Sequence, residues 1–133
     1  MSRGLRNHNP GNIRQSLAHF HGEVRPSTDP AFKQFESAAW GYRAIFVVLD
    51  NYRRRHRLTT IAQMIARWAP PAENHTATYI EAVCRLTGIG PAEEINTRDP
   101  QTMIPFASAI SQVENGCKAD PLAVDEGWRL FCS

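Results

Sequence analysis

The chain has 133 residues, 42% hydrophobic and 21% charged, with a net charge of +2. That balance describes a single globular domain over residues 1–133, large enough to bury about two-thirds of its unfolded surface in one core. A charge so close to zero gives no sign of a dedicated nucleic-acid binder, and no apolar run reaches the length of a bilayer span, so no membrane insertion is expected. Three cysteines leave an odd thiol. Cys117 and Cys132 flank the last helix and could pair in an oxidising compartment, whereas Cys84 sits on a helical face and reads as core. With no Cys-x-x-Cys and no His-x-x-x-His, neither a metal site nor a cofactor is expected.

In chain order, Arg6-Asn7-His8-Asn9-Pro10-Gly11-Asn12-Ile13-Arg14 is dense in residues that favour turns. Phe20 to Val24 and Phe32 to Phe35 alternate loosely around a Pro-rich stretch, which predicts a short irregular hairpin. Ser37 is the N-cap of a long helix reaching about Arg55, with Ala44, Val47, Val48 and Tyr52 at helical spacing. Thr59 or Thr60 opens a second helix, whose stripe of Ile61, Met64, Ile65 and Trp68 ends at Pro70-Pro71. A third starts at Asn74 or His75, turns Tyr79, Ile80, Val83 and Leu86 inward and stops at Gly88. Asp99-Pro100 and Asp120-Pro121 each combine a capping aspartate with proline at the first helical position. They predict a helix through Asn115, bent by Pro105, and a last one reaching Leu130. The fold class is mainly α, an α+β helical domain with one short β-hairpin near the N-terminus.

Four segments carry candidate chemistry. The Asn-Pro-Gly-Asn-Ile-Arg turn gathers amide side chains and open backbone suited to a hydroxyl-rich, amide-bearing ligand. Phe35-Glu36-Ser37 leads through Trp40-Gly41-Tyr42-Arg43 at a strand-to-helix junction, a common place for sites. Trp68-Ala69-Pro70-Pro71-Ala72-Glu73-Asn74-His75-Thr76 runs into the helix bearing Tyr79. The fourth, Ser111-Gln112-Val113-Glu114-Asn115-Gly116, places a carboxylate in a last turn, where the partial negative charge of the helix end opposes ionisation, as a general acid requires. Taken singly, these are a turn, a hairpin end, a core tyrosine and a solvated surface glutamate. Arg53-Arg54-Arg55-His56-Arg57 is best read as a solvated helix end complementing the macrodipole. The helices after it lack the basic and amide residues of a base-reading motif, and the cluster would also attract an anionic cell-wall polymer.

Together the four segments resemble a family of small phage-associated, lysozyme-like peptidoglycan hydrolases or virion structural proteins. That family's pattern runs Arg-Asn-Asn-Asn-Pro-Gly-Asn-Ile-Arg, Phe-x-x-Phe-x-Ser with Gly-x-Arg-Ala, Trp-Ala-Pro-Pro-x-Glu-Asn-x-Thr-x-x-Tyr and Glu-Asn-Gly. This chain departs from it at His8, for asparagine, and at His75, for aspartate. The segments are also similar to those of lytic transglycosylases in a rotated order, which suggests a circularly permuted lysozyme-like domain whose two ends lie close together.

The resemblance implies cleavage of the β-1,4 bond between N-acetylmuramic acid and N-acetylglucosamine, without a cofactor. Glu114 would be the general acid, assisted by Tyr79, with Glu36 as the first candidate for a second carboxylate and Glu73 as the next. Asn9, Gly11, Asn12, Phe35, Tyr42 and Asn74 would bind sugar. Peptidoglycan strands are the expected partner, alongside a neutralising immunity protein or virion or secretion components. The opening residues have no signal-peptide core. The protein is therefore expected to be made in the cytoplasm and delivered to the periplasm or cell wall by a virion, a lysis system or a secretion apparatus. A non-catalytic virion or wall-binding module is the alternative.

Overall fold

A computed structural model describes all residues, Met1–Ser133. A single-turn helix α1 (Arg3–Arg6) precedes a loop and a two-stranded antiparallel sheet, β1 (Glu23–Val24) and β2 (Gln34–Phe35). Glu23 pairs with Phe35 and Val24 with Gln34. The remainder is helical: α2 (Ala38–His56), α3 (Ile61–Trp68), α4 (Thr76–Thr87), α5 (Pro100–Asn115) and α6 (Pro121–Cys132). The architecture is mainly α with one small hairpin.

The capping residues act where their chemistry places them. Ser37 accepts from the Trp40 amide, Thr60 from Gln63, Asp99 from Gln101 and Asp120 from Leu122, with Pro100 and Pro121 opening their helices. Gly88 and Gly116 end α4 and α5 in the left-handed conformation. Only α4 starts without a side-chain cap, His75 making none. Helix α5 continues through Pro105, whose missing N–H removes a single rung of the ladder.

α2 is the spine. Its Tyr42, Ile45, Phe46 and Leu49 are fully buried against Met64 and Ile65 of α3, Val83 of α4, Phe106 and Ile110 of α5 and Val124 of α6. The expected stripe is therefore displaced: Val48 and Tyr52 are only partly buried, because a helix covered on most sides has no single apolar face. Leu86 likewise turns outward at 40% exposure, and Cys84 packs on the core in its stead. Cys117 and Cys132 are free thiols. All of α6, about 18 Å of helix, separates them, well beyond disulfide reach.

The two ends of the chain do not meet. Ser2 bonds Asn115 at the C-terminal end of α5, whereas Phe131 lies on Phe46 and under Arg98, just ahead of the N-terminal end of α5. Roughly the 24 Å length of α5 lies between, so the closeness expected of a simple permutation is absent.

The long stretch around the hairpin is organised by charge. Lys33 is completely buried, and its ammonium donates to both Glu23 carboxylate oxygens, at 3.2 and 3.1 Å, and to the carbonyls of Ser16 and Ala18. Arg25 reaches the same carboxylate at 2.9 Å. Burial opposes ionisation of Glu23, but bonds from Arg25, the Phe20 amide and Lys33 outweigh it and hold the group below its ordinary value of 4.5. A depressed value in the folded state means stability that is present above about pH 4.5 and lost as pH falls below it. Glu23→Gln strands the Lys33 ammonium and is expected to cost about 3–5 kcal/mol at neutral pH. In urea unfolding, the gap from wild type should narrow below pH 4.5; a gap independent of pH would contradict this account.

Candidate active site

The N-terminal loop is fastened to the end of α5 by Asn115. Its amide donates to the carbonyls of Pro10 and Ser111, both at 2.9 Å, and its oxygen accepts from the Ser2 hydroxyl at 2.6 Å. On its other side the loop lies directly on α2 at Gly41, where a β-carbon would stand 2.1 Å from the His8 carbonyl oxygen. Asn9, fully buried, holds the loop's shape. It donates to the carbonyls of Ile13 and Lys33 and accepts from the Ile13 amide, each at 2.9 Å.

This packing puts Asn12 in the left-handed region, at φ 49°, a conformation asparagine tolerates better than most residues. Its side-chain amide donates to Glu114 Oε1 at 2.8 Å. From α4, the Tyr79 hydroxyl donates to Glu114 Oε2, also at 2.8 Å. Burial, and then the charge and hydrogen bond of Glu114, push the Tyr79 hydroxyl far above its ordinary value. Tyr79 is therefore a fixed donor at physiological pH. Residues 102 and 35 positions away in sequence thus meet on the one carboxylate that ends α5.

Glu114 opens into a cleft of about 420 Å³. One wall is the loop at Gly11, Asn12, Ile13 and Arg14, with Phe32; the other is Val48, Tyr52, Arg67 and Trp68, continuing through Pro70 to Glu73 and Asn74. Gly11 seats the loop on the floor, where a β-carbon would meet the Trp68 ring at 2.8 Å. Arg14 lies 5.2 Å from the Phe32 ring centroid and 3.6 Å from Glu73. A groove with three aromatic rings, convergent polar groups and two carboxylates, Glu73 and Glu114, suits a hydroxyl-rich ligand.

Five of the residues anticipated from sequence converge here: Glu114, Tyr79, Asn12, Gly11 and Asn74. Four do not. Glu36 is exposed and lies outside the cleft, because strand alternation turns it away once Phe35 points inward. Phe35 is itself core, 1% exposed and edge-on to Phe20. Tyr42 is buried in the core, with its hydroxyl 2.9 Å from Ser111 Oγ. Asn9 spends its polar atoms on the loop backbone. Glu73 takes the place of Glu36 as the cleft's other carboxylate. Val48, Tyr52 and Arg67 were not anticipated. The signal available was the place of Arg67 in the last turn of α3, directly before the Trp68-Ala69-Pro70-Pro71 run; Val48 and Tyr52, inside α2, gave none.

Loop docking can be separated from core packing. Gly41→Ala should displace the loop and accelerate hydrogen exchange at the Asn12 and Ile13 amides, which bond to Asn9, at an overpacking cost of about 1–3 kcal/mol. Tyr42→Phe should cost about 1 kcal/mol and leave both amides protected. Equal exchange in the two variants would remove the role given to Gly41.

No protein-family profile matches the chain. Protein P5 of Pseudoalteromonas phage PM2 is 38% identical over 128 residues, spanning 94% of this chain and 77% of the phage protein. Similarity of that extent covers the loop, the cleft walls and the α5 terminus alike, and the chain belongs to the same family as phage PM2 Protein P5.

Proposed function

We propose that this protein is a peptidoglycan-cleaving glycosidase with Glu114 as its single acid/base group. The observation that carries this reading is the position of Glu114: on the wall of a saccharide-sized cleft, with each carboxylate oxygen met by a neutral donor from a different part of the chain. Both protonation states can be accommodated. The resting Asn12 amide donates to the carboxylate, and its buried oxygen has no partner. Rotated by half a turn, that amide accepts from a protonated Glu114. Glu114 then protonates the departing glycosidic oxygen, and Tyr79 holds the carboxyl in place.

The cleft's other carboxylate, Glu73, is drawn to Arg14. Attack by the muramic acid C6 hydroxyl, whose proton returns to Glu114, therefore fits better than attack by a water activated by a second carboxylate. The phage relative favours delivery to the wall by a virion or lysis system, and in a secreted setting the same site would call for a neutralising partner.

Mass spectrometry of muropeptides released from purified sacculi tests the reading. Glu114→Gln should lower release by about 10²–10⁴-fold, and Tyr79→Phe by about tenfold, the equivalent of one hydrogen bond to a charged group. Anhydro ends would establish the cyclising route and reducing ends hydrolysis. Equal release by wild type and Glu114→Gln would overturn the proposal, and tight sacculus binding without any release would make the protein a wall-binding module.

A further inference from the structure

The cleft holds a cation that nothing in the protein neutralises. Arg67 lies on the cleft wall, its guanidinium 5.5 Å from the centroid of Tyr52, and it forms no ion pair. The neighbouring arginines differ. Arg53 bonds Glu94 and the Ile95 carbonyl, Arg54 bonds Asp50, and Arg14 is only 3.6 Å from Glu73. A guanidinium resting by an aromatic ring keeps its planar fork of donors free, and that fork captures a carboxylate through paired hydrogen bonds. A neutral saccharide offers such a group hydrogen-bond acceptors but no countercharge.

We propose that Arg67 is a specificity-determining residue that reads a carboxylate carried by the substrate, so that muramyl glycans are preferred over neutral N-acetylglucosamine polymers. This deepens the glycosidase reading and rests on it. Two carboxylate sources exist on such a strand: the lactyl group of muramic acid, free once the peptide is removed, and the acidic residues of an intact peptide stem. Arg67 stands on the Tyr52 side of the cleft, and Glu114 is held from its Asn12 and Tyr79 side. The residue is therefore assigned to recognition and not to bond cleavage.

The experiment measures calorimetric affinities of the full chain for three ligands: a chitin oligosaccharide, a muramyl glycan stripped of peptides, and the same glycan bearing its stems. The Arg67→Gln variant is compared with Arg55→Gln, which removes an equal charge from an exposed, unpaired arginine outside the cleft. Wild type should favour the acidic glycans, and Arg67→Gln should lose about fivefold for them, with no change for chitin. Arg55→Gln should match wild type at moderate salt. A loss confined to the stem-bearing ligand identifies the stem as the source, a loss confined to the stripped glycan identifies the free lactyl group, and a loss with both shows that Arg67 reads either carboxylate.

Equal wild-type affinity for all three ligands, or equal effects of the two substitutions, would overturn the assignment and leave the glycosidase reading standing. Failure of wild type to bind any of them while sacculi release no muropeptides would take down both.

Discussion

The site depends on the amide of Asn115. This residue ends α5 and ties down residues 2 and 10 of the chain, while the residue before it, Glu114, faces the cleft. Adjacent residues in the last turn of a helix point about 100° apart, so one turn can address two surfaces. One side chain grips the loop, and the other receives the Asn12 that the loop delivers. Without that grip the N-terminal segment loses its tie to α5. Its four-residue helix is too short to persist alone, and the bonds of Arg3 and Asn7 to Asp29 and of Asn9 to Lys33 hold it on the hairpin side. Closing a loop of about a hundred residues carries an entropic cost that rises only slowly with length. The site can thus be assembled from distant parts of the sequence so long as the docking bonds are good.

The opposite end of the same helix is fixed in a comparable way. Asp50 on α2, 4% exposed, accepts from the Thr97 hydroxyl at 2.8 Å and from Arg98 at 3.0 Å, and Arg53 donates to the Ile95 carbonyl at 2.8 Å. These bonds hold the connection that leads into α5 against α2, so α5 is registered on the spine at both ends. A buried carboxylate is costly unless its lone pairs are met, and here they are. The lateral position of Glu114 against Tyr79 follows from this double registration together with the packing of Val83 and Ile110 in the core.

Local chemistry was legible in the sequence where it is local. Caps at Ser37, Thr60, Asp99 and Asp120, the prolines after the two aspartates, and the glycine stops all act through their own backbone neighbours, and all are found where the residue types require. The direction in which a side chain faces was not legible wherever it depends on contacts far away in sequence. Glu36 and Tyr42 looked like site residues because they sit at a junction, yet one faces solvent and the other the core. Lys33 gave no sign of complete burial, because its partners, Glu23 and the carbonyls of Ser16 and Ala18, lie in an irregular segment without periodicity. On α2, covered on nearly every side, amphipathic spacing could not separate the residues that fill the core from Val48 and Tyr52, which border the cleft.

Two glutamates show how differently one residue type is used. Glu23 is surrounded by cations, Lys33 and Arg25, which hold it ionised at neutral pH and make it a structural pin. Glu114 has no cation within ion-pairing distance, and both its partners, Asn12 and Tyr79, are neutral. A guanidinium or ammonium beside a carboxylate penalises protonation by the full pair interaction, whereas neutral donors orient the group without adding that charge interaction. The arginines of the cleft form no ion pair with Glu114; Arg14 lies beside the Phe32 ring and Arg67 beside Tyr52. Under the proposed glycosidase reading, that arrangement suits a carboxyl that gives up a proton and takes it back within one turnover, with positive charge elsewhere in the cleft left to hold an acidic substrate.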